Sequence, residues 1–145
     1  HLLVVGKREA EEGTVAVRTL GEQQQNFCSL DEAIAMREAG MEVVLLDTFQ
    51  TPQGIVDVAV QEDVDVIGVS CLSGEHLRLT PRLMACIEVE GLGDRLVVYG
   101  GIFPKEDIPR LKEMGVDNVF MGTLTGDIAE YIEGNVGSKR SKQIA

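Results

Sequence analysis

The 145-residue chain lacks a long apolar run. No stretch approaches the ~18 consecutive apolar residues that a membrane-spanning helix needs, so no membrane partner is expected. Cysteine is scarce: Cys28, Cys71 and Cys86 show no Cys-x-x-Cys spacing. That excludes a disulfide framework and points to a reduced, cytoplasmic protein. Histidine is scarcer still, with only His1 and His76, so no sequence-local metal cluster exists and no metal site is expected. Positive charge is in deficit: 13 Lys+Arg stand against 24 Asp+Glu, for a net charge of −11. Such a field repels phosphate backbones and argues against a general nucleic-acid role. The one basic cluster, Lys139, Arg140 and Lys142, lies in a polar tail, 134–145, that reads as a solvated end. No basic segment precedes the opening apolar stretch, so no signal peptide is expected. Gly-x-Ser-x-Gly, the P-loop and Gly-x-Gly-x-x-Gly are missing too, which removes the common catalytic and nucleotide-binding signatures.

What is present is the pattern of a single α/β domain over residues 1–133. Hydrophobic residues make up 44% of the chain, enough for a core without staples. Short continuous apolar runs occur at 42–47, 64–70, 95–100 and 117–121. Continuous rather than alternating runs suit strands buried on both faces, as in a parallel sheet. Helix signals lie between them. Thr51-Pro52 offers an N-cap followed by proline, and Thr80-Pro81 repeats it. A third helix is expected from about Pro104 to a stop at Gly115, and a fourth near Asp127 to Ile132. Alternating β and α predicts a three-layer α/β/α sheet with right-handed crossovers.

The first 40 residues depart from that rhythm. Strand 1–5 and strand 14–19 are separated only by the polar turn Lys7–Gly13, so they must pair antiparallel. A glutamine-rich loop comes next over 21–28, and Ser29-Leu-Asp-Glu32 has the capping-box form. The expected strand order is 42–47, 14–19, 1–5, 64–70, 95–100, 117–121.

Two stretches resemble known families. His1-Leu-Leu-Val-Val-Gly-Lys-Arg-Glu9, Gly13-Thr-Val-Ala-Val-Arg-Thr19 and Ser29-Leu-Asp-Glu32 resemble the end of the threonyl-tRNA synthetase anticodon-binding domain. That resemblance puts Glu9 and Arg18 where the family reads anticodon bases. From about Ala33 onward the chain is similar to the cobalamin-binding domain of methylmalonyl-CoA mutase. The pieces are Arg37-Glu-Ala-Gly-Met-Glu-Val, Phe49-Gln-Thr-Pro52, Asp65-Val-Ile-Gly-Val-Ser-Cys-Leu72 and Gly100-Gly-Ile-Phe-Pro104. This resemblance implies a flavodoxin-like, mostly parallel sheet that takes the cofactor's nucleotide tail at the strands' carboxyl ends. It implies Ser70, Leu72, Gly100, Gly101 and Thr123 as cofactor-binding positions. The family's first strand and its Asp-x-His-x-x-Gly loop, which carries the axial histidine to cobalt, have no counterpart here. Residues 21–28 occupy that connection without a histidine.

The chain therefore reads as an engineered-type hybrid: a folded scaffold, not an enzyme, with no catalytic residues and no required cofactor, keeping a remnant pocket for weak cobalamin binding. Two alternatives stand beside that expectation. One is a tRNA anticodon-binding module using Glu9 and Arg18, which otherwise form a surface ion pair. The other is a functional cobalamin-binding domain. His76, in Ser73-Gly-Glu-His76, reads as a solvated histidine or a helix-start contact. The sequence leaves the oligomeric state open.

Overall fold

Successive residues of the central strands pack into opposite cores, which explains their unbroken apolar runs. In strand β4 (Val66–Cys71) Val66 enters one core, and Ile67 and Val69 enter the other. In strand β5 (Leu96–Gly101) Leu96 and Val98 face one side, and Val97 and Tyr99 face the opposite side. A strand with apolar side chains on both faces is stable only between two helical layers. The computed structural model describes residues 2–6, 16–18, 36, 38–46, 51–71, 74–121 and 125–144.

Among the described residues the remaining strands are β1 (Leu2–Gly6), β2 (Ala16–Arg18), β3 (Glu42–Leu45) and β6 (Asn118–Phe120). The helices are α1 (Pro52–Gln61), α2 (His76–Val89), α3 (Asp107–Glu113) and α4 (Thr125–Ile144). Ile55, Val56 and Ala59 of α1, Leu83 and Ile87 of α2, and Leu111 of α3 pack on one face of the sheet. Ile128, Ala129 and Ile132 of α4, with Met36, cover the other face. No described helix is long and apolar enough to cross a membrane.

The sheet has six strands in the order β2-β3-β1-β4-β5-β6, with an additional pairing between β2 and β1. Strands β4, β5 and β6 run parallel. β1 lies antiparallel to β4 on one side and to β2 and β3 on the other, and β2 and β3 are parallel. The expected three-layer, mostly parallel, flavodoxin-like architecture with an antiparallel N-terminal hairpin is the architecture observed. The expected position of β2 between β3 and β1 needs one amendment. β2 does pair with both, but β3 also pairs with β1 directly, Val5 to Val43 and Gly6 to Glu42. β2 is only three residues long, and its pairing with β1 ends at Ala16–Val4. The last two residues of β1 would lack a partner on that side, and β3 supplies one.

Three helix boundaries differ in how they use their sequence signals. Thr51 caps α1 as expected, its side-chain oxygen accepting from the Gly54 amide at 3.0 Å, with Pro52 opening the helix. Thr80-Pro81 does not start a helix. It lies inside α2, because the Thr80 hydroxyl bonds backward to the His76 carbonyl oxygen at 2.6 Å rather than forward. α4 continues to Ile144, well beyond the expected end at Ile132. Lys139 holds that extension: its Nζ is 2.6 Å from both the Arg95 carbonyl oxygen and Asp117 Oδ2. Gly115 ends α3's turn with φ 111°, and a Cβ there would meet Met84 Cε at 2.7 Å.

Candidate functional site

The carboxyl ends of β4, β5 and β6 open along one edge of the sheet, the edge where α/β folds form their ligand crevices. Register puts Ser70 opposite Gly100, Gly100 opposite Phe120, and Cys71 opposite Gly101. Neighbouring strands lie ~4.8 Å apart, so Ser70, Gly100 and Phe120 form one row about 10 Å across.

The two glycines have different physical reasons. Gly101 has φ 148°, a conformation that side chains rarely adopt, so the backbone itself calls for glycine there. Gly100 has no such φ, and a Cβ built on it meets nothing within 4 Å. Among the described residues, neither backbone strain nor neighbouring protein atoms account for a missing side chain at Gly100. Its absence leaves bare backbone facing open space at the mouth. Apolar residues flank the gap: Ile102 is 82% exposed and Met121 is 37% exposed. Such a surface suits a ligand that approaches the backbone closely and has apolar faces of its own.

Beneath the mouth lies a polar connection between the two loops that leave β4 and β5. His76, the first residue of α2, is only 4% exposed. Its Nε2 shares a hydrogen bond of 2.8 Å with Asp107 Oδ2, and Asp107 is the first residue of α3. The imidazole meets the Phe103 ring edge-on, with centroids 4.8 Å apart. Thr80, which donates to the His76 carbonyl oxygen, shares a second hydrogen bond of 2.8 Å with the Tyr99 hydroxyl. Tyr99 immediately precedes the glycine pair. His76 Nδ1 is buried and has no hydrogen-bond partner among the described residues.

The expected cofactor positions thus separate into two sets. Ser70, Gly100 and Gly101 come together at the mouth through strand register. Leu72 and Thr123 lie outside the described residues, as does Glu9. Arg18 ends β2 opposite Leu2, and Leu2 pairs on its other side with Val69, so Arg18 sits on the same sheet edge two strands from β4. His76 corresponds to the helix-start contact and not to the solvated side chain. Its partnership with Asp107 was not legible in the sequence, because 31 residues separate them and only the folded loops bring them together.

On the far side of the sheet, Tyr131 packs edge-on against Phe120 with ring centroids 5.4 Å apart. Burial, followed by the nearby Asp117 charge, raises its pKa above the ordinary 10.0.

A family model described as the B12 binding domain matches residues 33–132. The chain belongs to the B12-binding domain family. Among its relatives, the chain is 42% identical over 89 residues to the 2-hydroxyisobutanoyl-CoA mutase small subunit of Aquincola tertiaricarbonis, covering 61% of this chain and 65% of that one. It is 38% identical over 113 residues to the pivalyl-CoA mutase small subunit of Xanthobacter autotrophicus, covering 77% of this chain and 76% of that one. It is also 36% identical over 135 residues to the methylmalonyl-CoA mutase of Rhizobium meliloti, covering 92% of this chain but only 19% of that enzyme. The chain thus spans about a fifth of that mutase and just under two thirds of the first small subunit.

These findings correct the reading of an inert scaffold. Relatives of this B12-binding domain are subunits of CoA mutases, so the expectations of no enzyme role and of no required cofactor are overturned. Nothing supports a synthetase-derived part or an engineered hybrid. The alignment that covers 92% of the chain reaches well into residues 1–32, the stretch that resembles the synthetase.

Proposed function

We propose that this chain is a working cobalamin-binding domain that serves a mutase acting on acyl-CoA substrates. The single observation that carries this reading is Gly100: an absent side chain, required neither by backbone nor by packing among the described residues, at the carboxyl edge of a sheet matching the B12-binding family. The open backbone there fits the close approach of the cofactor's nucleotide tail. Ser70 lies opposite it in register and Gly101 follows it along β5, and Leu72 and Thr123 are the further candidates for that tail. The flanking Ile102 and Met121 give the mouth an apolar rim. Cobalamin supplies the radical chemistry when bound. This chain's residues hold and orient it, and substrate binding belongs to a separate barrel, as the mutase resemblance implies.

The test is a titration of the chain with cobalamin, followed by absorbance. Saturable binding at one cofactor per chain is expected. A Gly100→Val variant places two methyl groups in the open space and is expected to weaken binding by about a hundredfold, on the order of 3 kcal/mol. Absence of saturable binding by the unaltered chain, or equal affinity in the variant, would remove this reading.

A further inference from the structure

We infer that His76 and Asp107 form a clamp that sets the spacing of the cofactor slot, as positioning residues that do not themselves touch the cofactor. The inference rests on the cobalamin-binding reading above. The proposed slot lies at the carboxyl ends of β4 and β5, and the helix that follows each of these strands begins close by. The first residues of those two helices are His76 and Asp107, joined at 2.8 Å. The link continues on both sides. Phe103, two residues beyond the glycine pair, packs on the imidazole, and Thr80 ties the His76 carbonyl to the Tyr99 hydroxyl. Gly100 and Gly101 are therefore held from before by Tyr99 and from after by Phe103, both referred to the same histidine.

A purely structural role is a poor account of this pair. Two apolar side chains would join α2 to α3 without desolvating a carboxylate and an imidazole. A directional hydrogen bond does what apolar packing does not: it fixes distance and orientation between two loops to a few tenths of an ångström. A slot that grips a flat nucleotide tail needs that fixed separation, because a small misplacement of binding groups loses affinity steeply.

The experiment titrates cobalamin into the whole chain and into His76→Leu, His76→Gln and Thr80→Val variants. The melting midpoint of each cofactor-free protein is measured alongside. Failure of the unaltered chain to bind removes the functional reading itself, whereas the variants bear on the clamp alone. His76→Leu is expected to raise the dissociation constant by about tenfold or more, with the absorbance spectrum of bound cobalamin unchanged. His76→Gln, whose side-chain amide reaches the same carboxylate, is expected to stay within about threefold of the unaltered chain. Equal affinity for His76→Leu and the unaltered chain overturns the clamp, and so does a Gln variant as weak as the Leu variant. An altered cobalt spectrum in His76→Leu would make His76 a ligand and overturn the positioning role as well. If His76→Leu does not fold, Thr80→Val decides. It removes the hydroxyl's bonds to Tyr99 and to the His76 carbonyl while leaving the His76–Asp107 pair in place, and is expected to weaken binding by about threefold; no weakening overturns the inference.

Discussion

The two halves of the sheet are built on different rules. β4, β5 and β6 are parallel, in continuous register, and sandwiched between α1–α3 on one face and α4 on the other. β1, β2 and β3 are joined by a mixture of antiparallel and parallel pairings, with β1 touching three strands. The parallel half carries the open glycine, the polar clamp and most of the expected cofactor positions. The mixed half contributes an edge to the same mouth through Arg18. The proposed binding residues thus lie where loops leave parallel strands, and the half with irregular pairing adjoins them from the side.

The sharpest way to break this division is to damage the parallel half's core. Ile67 is fully buried in β4, and Ile67→Ala is expected to cost about 2–5 kcal/mol, read as a large fall in melting midpoint. An equal loss from Val43→Ala in β3, which is also buried, would show that the two halves contribute equally to stability. The Gly100→Val variant separates function from that core. Its added side chain meets open space within a strand, so stability is expected to change by less than about 1 kcal/mol while cobalamin affinity collapses. A parallel fall in both would place Gly100 among the packing residues.

Native-state hydrogen exchange gives a residue-level version of the same contrast. Amides of β4 and β5, hydrogen-bonded on both sides and buried on both faces, should exchange more slowly than those of β2 and β3. Uniform protection across the sheet would dissolve the distinction. A smaller effect is expected at Lys139, which anchors the far turns of α4 to Asp117 and to the Arg95 carbonyl. Lys139→Ala should cost about 1.5 kcal/mol, since a charge-assisted bond is lost, and should raise the helical signal's sensitivity to heat. Circular dichroism of the two proteins checks it.

The smallest effect concerns pH. Tyr131 holds its proton more tightly in the folded chain than in the unfolded one. Above the ordinary value of 10.0 the unfolded state therefore releases a proton that the folded state keeps, and stability falls as pH rises. Tyr131→Phe should flatten that alkaline decline while leaving neutral-pH stability nearly unchanged, because its hydroxyl makes only a 3.4 Å contact with the Asp117 carbonyl oxygen. Melting midpoints at about pH 8 and above the ordinary tyrosine range compare the two.

Local chemistry made much of this protein legible. Continuous apolar runs at 64–70 and 95–100 require two covering layers, and Thr51-Pro52 begins a helix as its capping chemistry favours. The short turn after β1 forces an antiparallel hairpin. The mutase-like pieces also located the glycine pair before any geometry was in hand. Misreadings arose where a residue type has two local uses. Thr80 could cap forward or bond backward, and the i−4 carbonyl of His76 won because α2 had already begun. The inference of an inert hybrid drew too much from one absent motif. The match of residues 33–132 to the B12-binding family overturns that reading.

What the sequence determined by itself depends on near neighbours: that 64–70 and 95–100 are strands apolar on both faces, that Thr51 caps a helix, and that β1 and β2 pair antiparallel. Only the tertiary structure decided what depends on residues meeting across the chain. His76 and Asp107 meet because two parallel strands deliver two helix starts side by side. Gly100 faces open space because nothing on its described neighbours reaches it. β3 reaches past β2 to pair with β1 because β2 stops at Ala16. Periodicity and capping are written within a few residues of one another, whereas separations and empty space between loops exist only once the sheet has fixed its register.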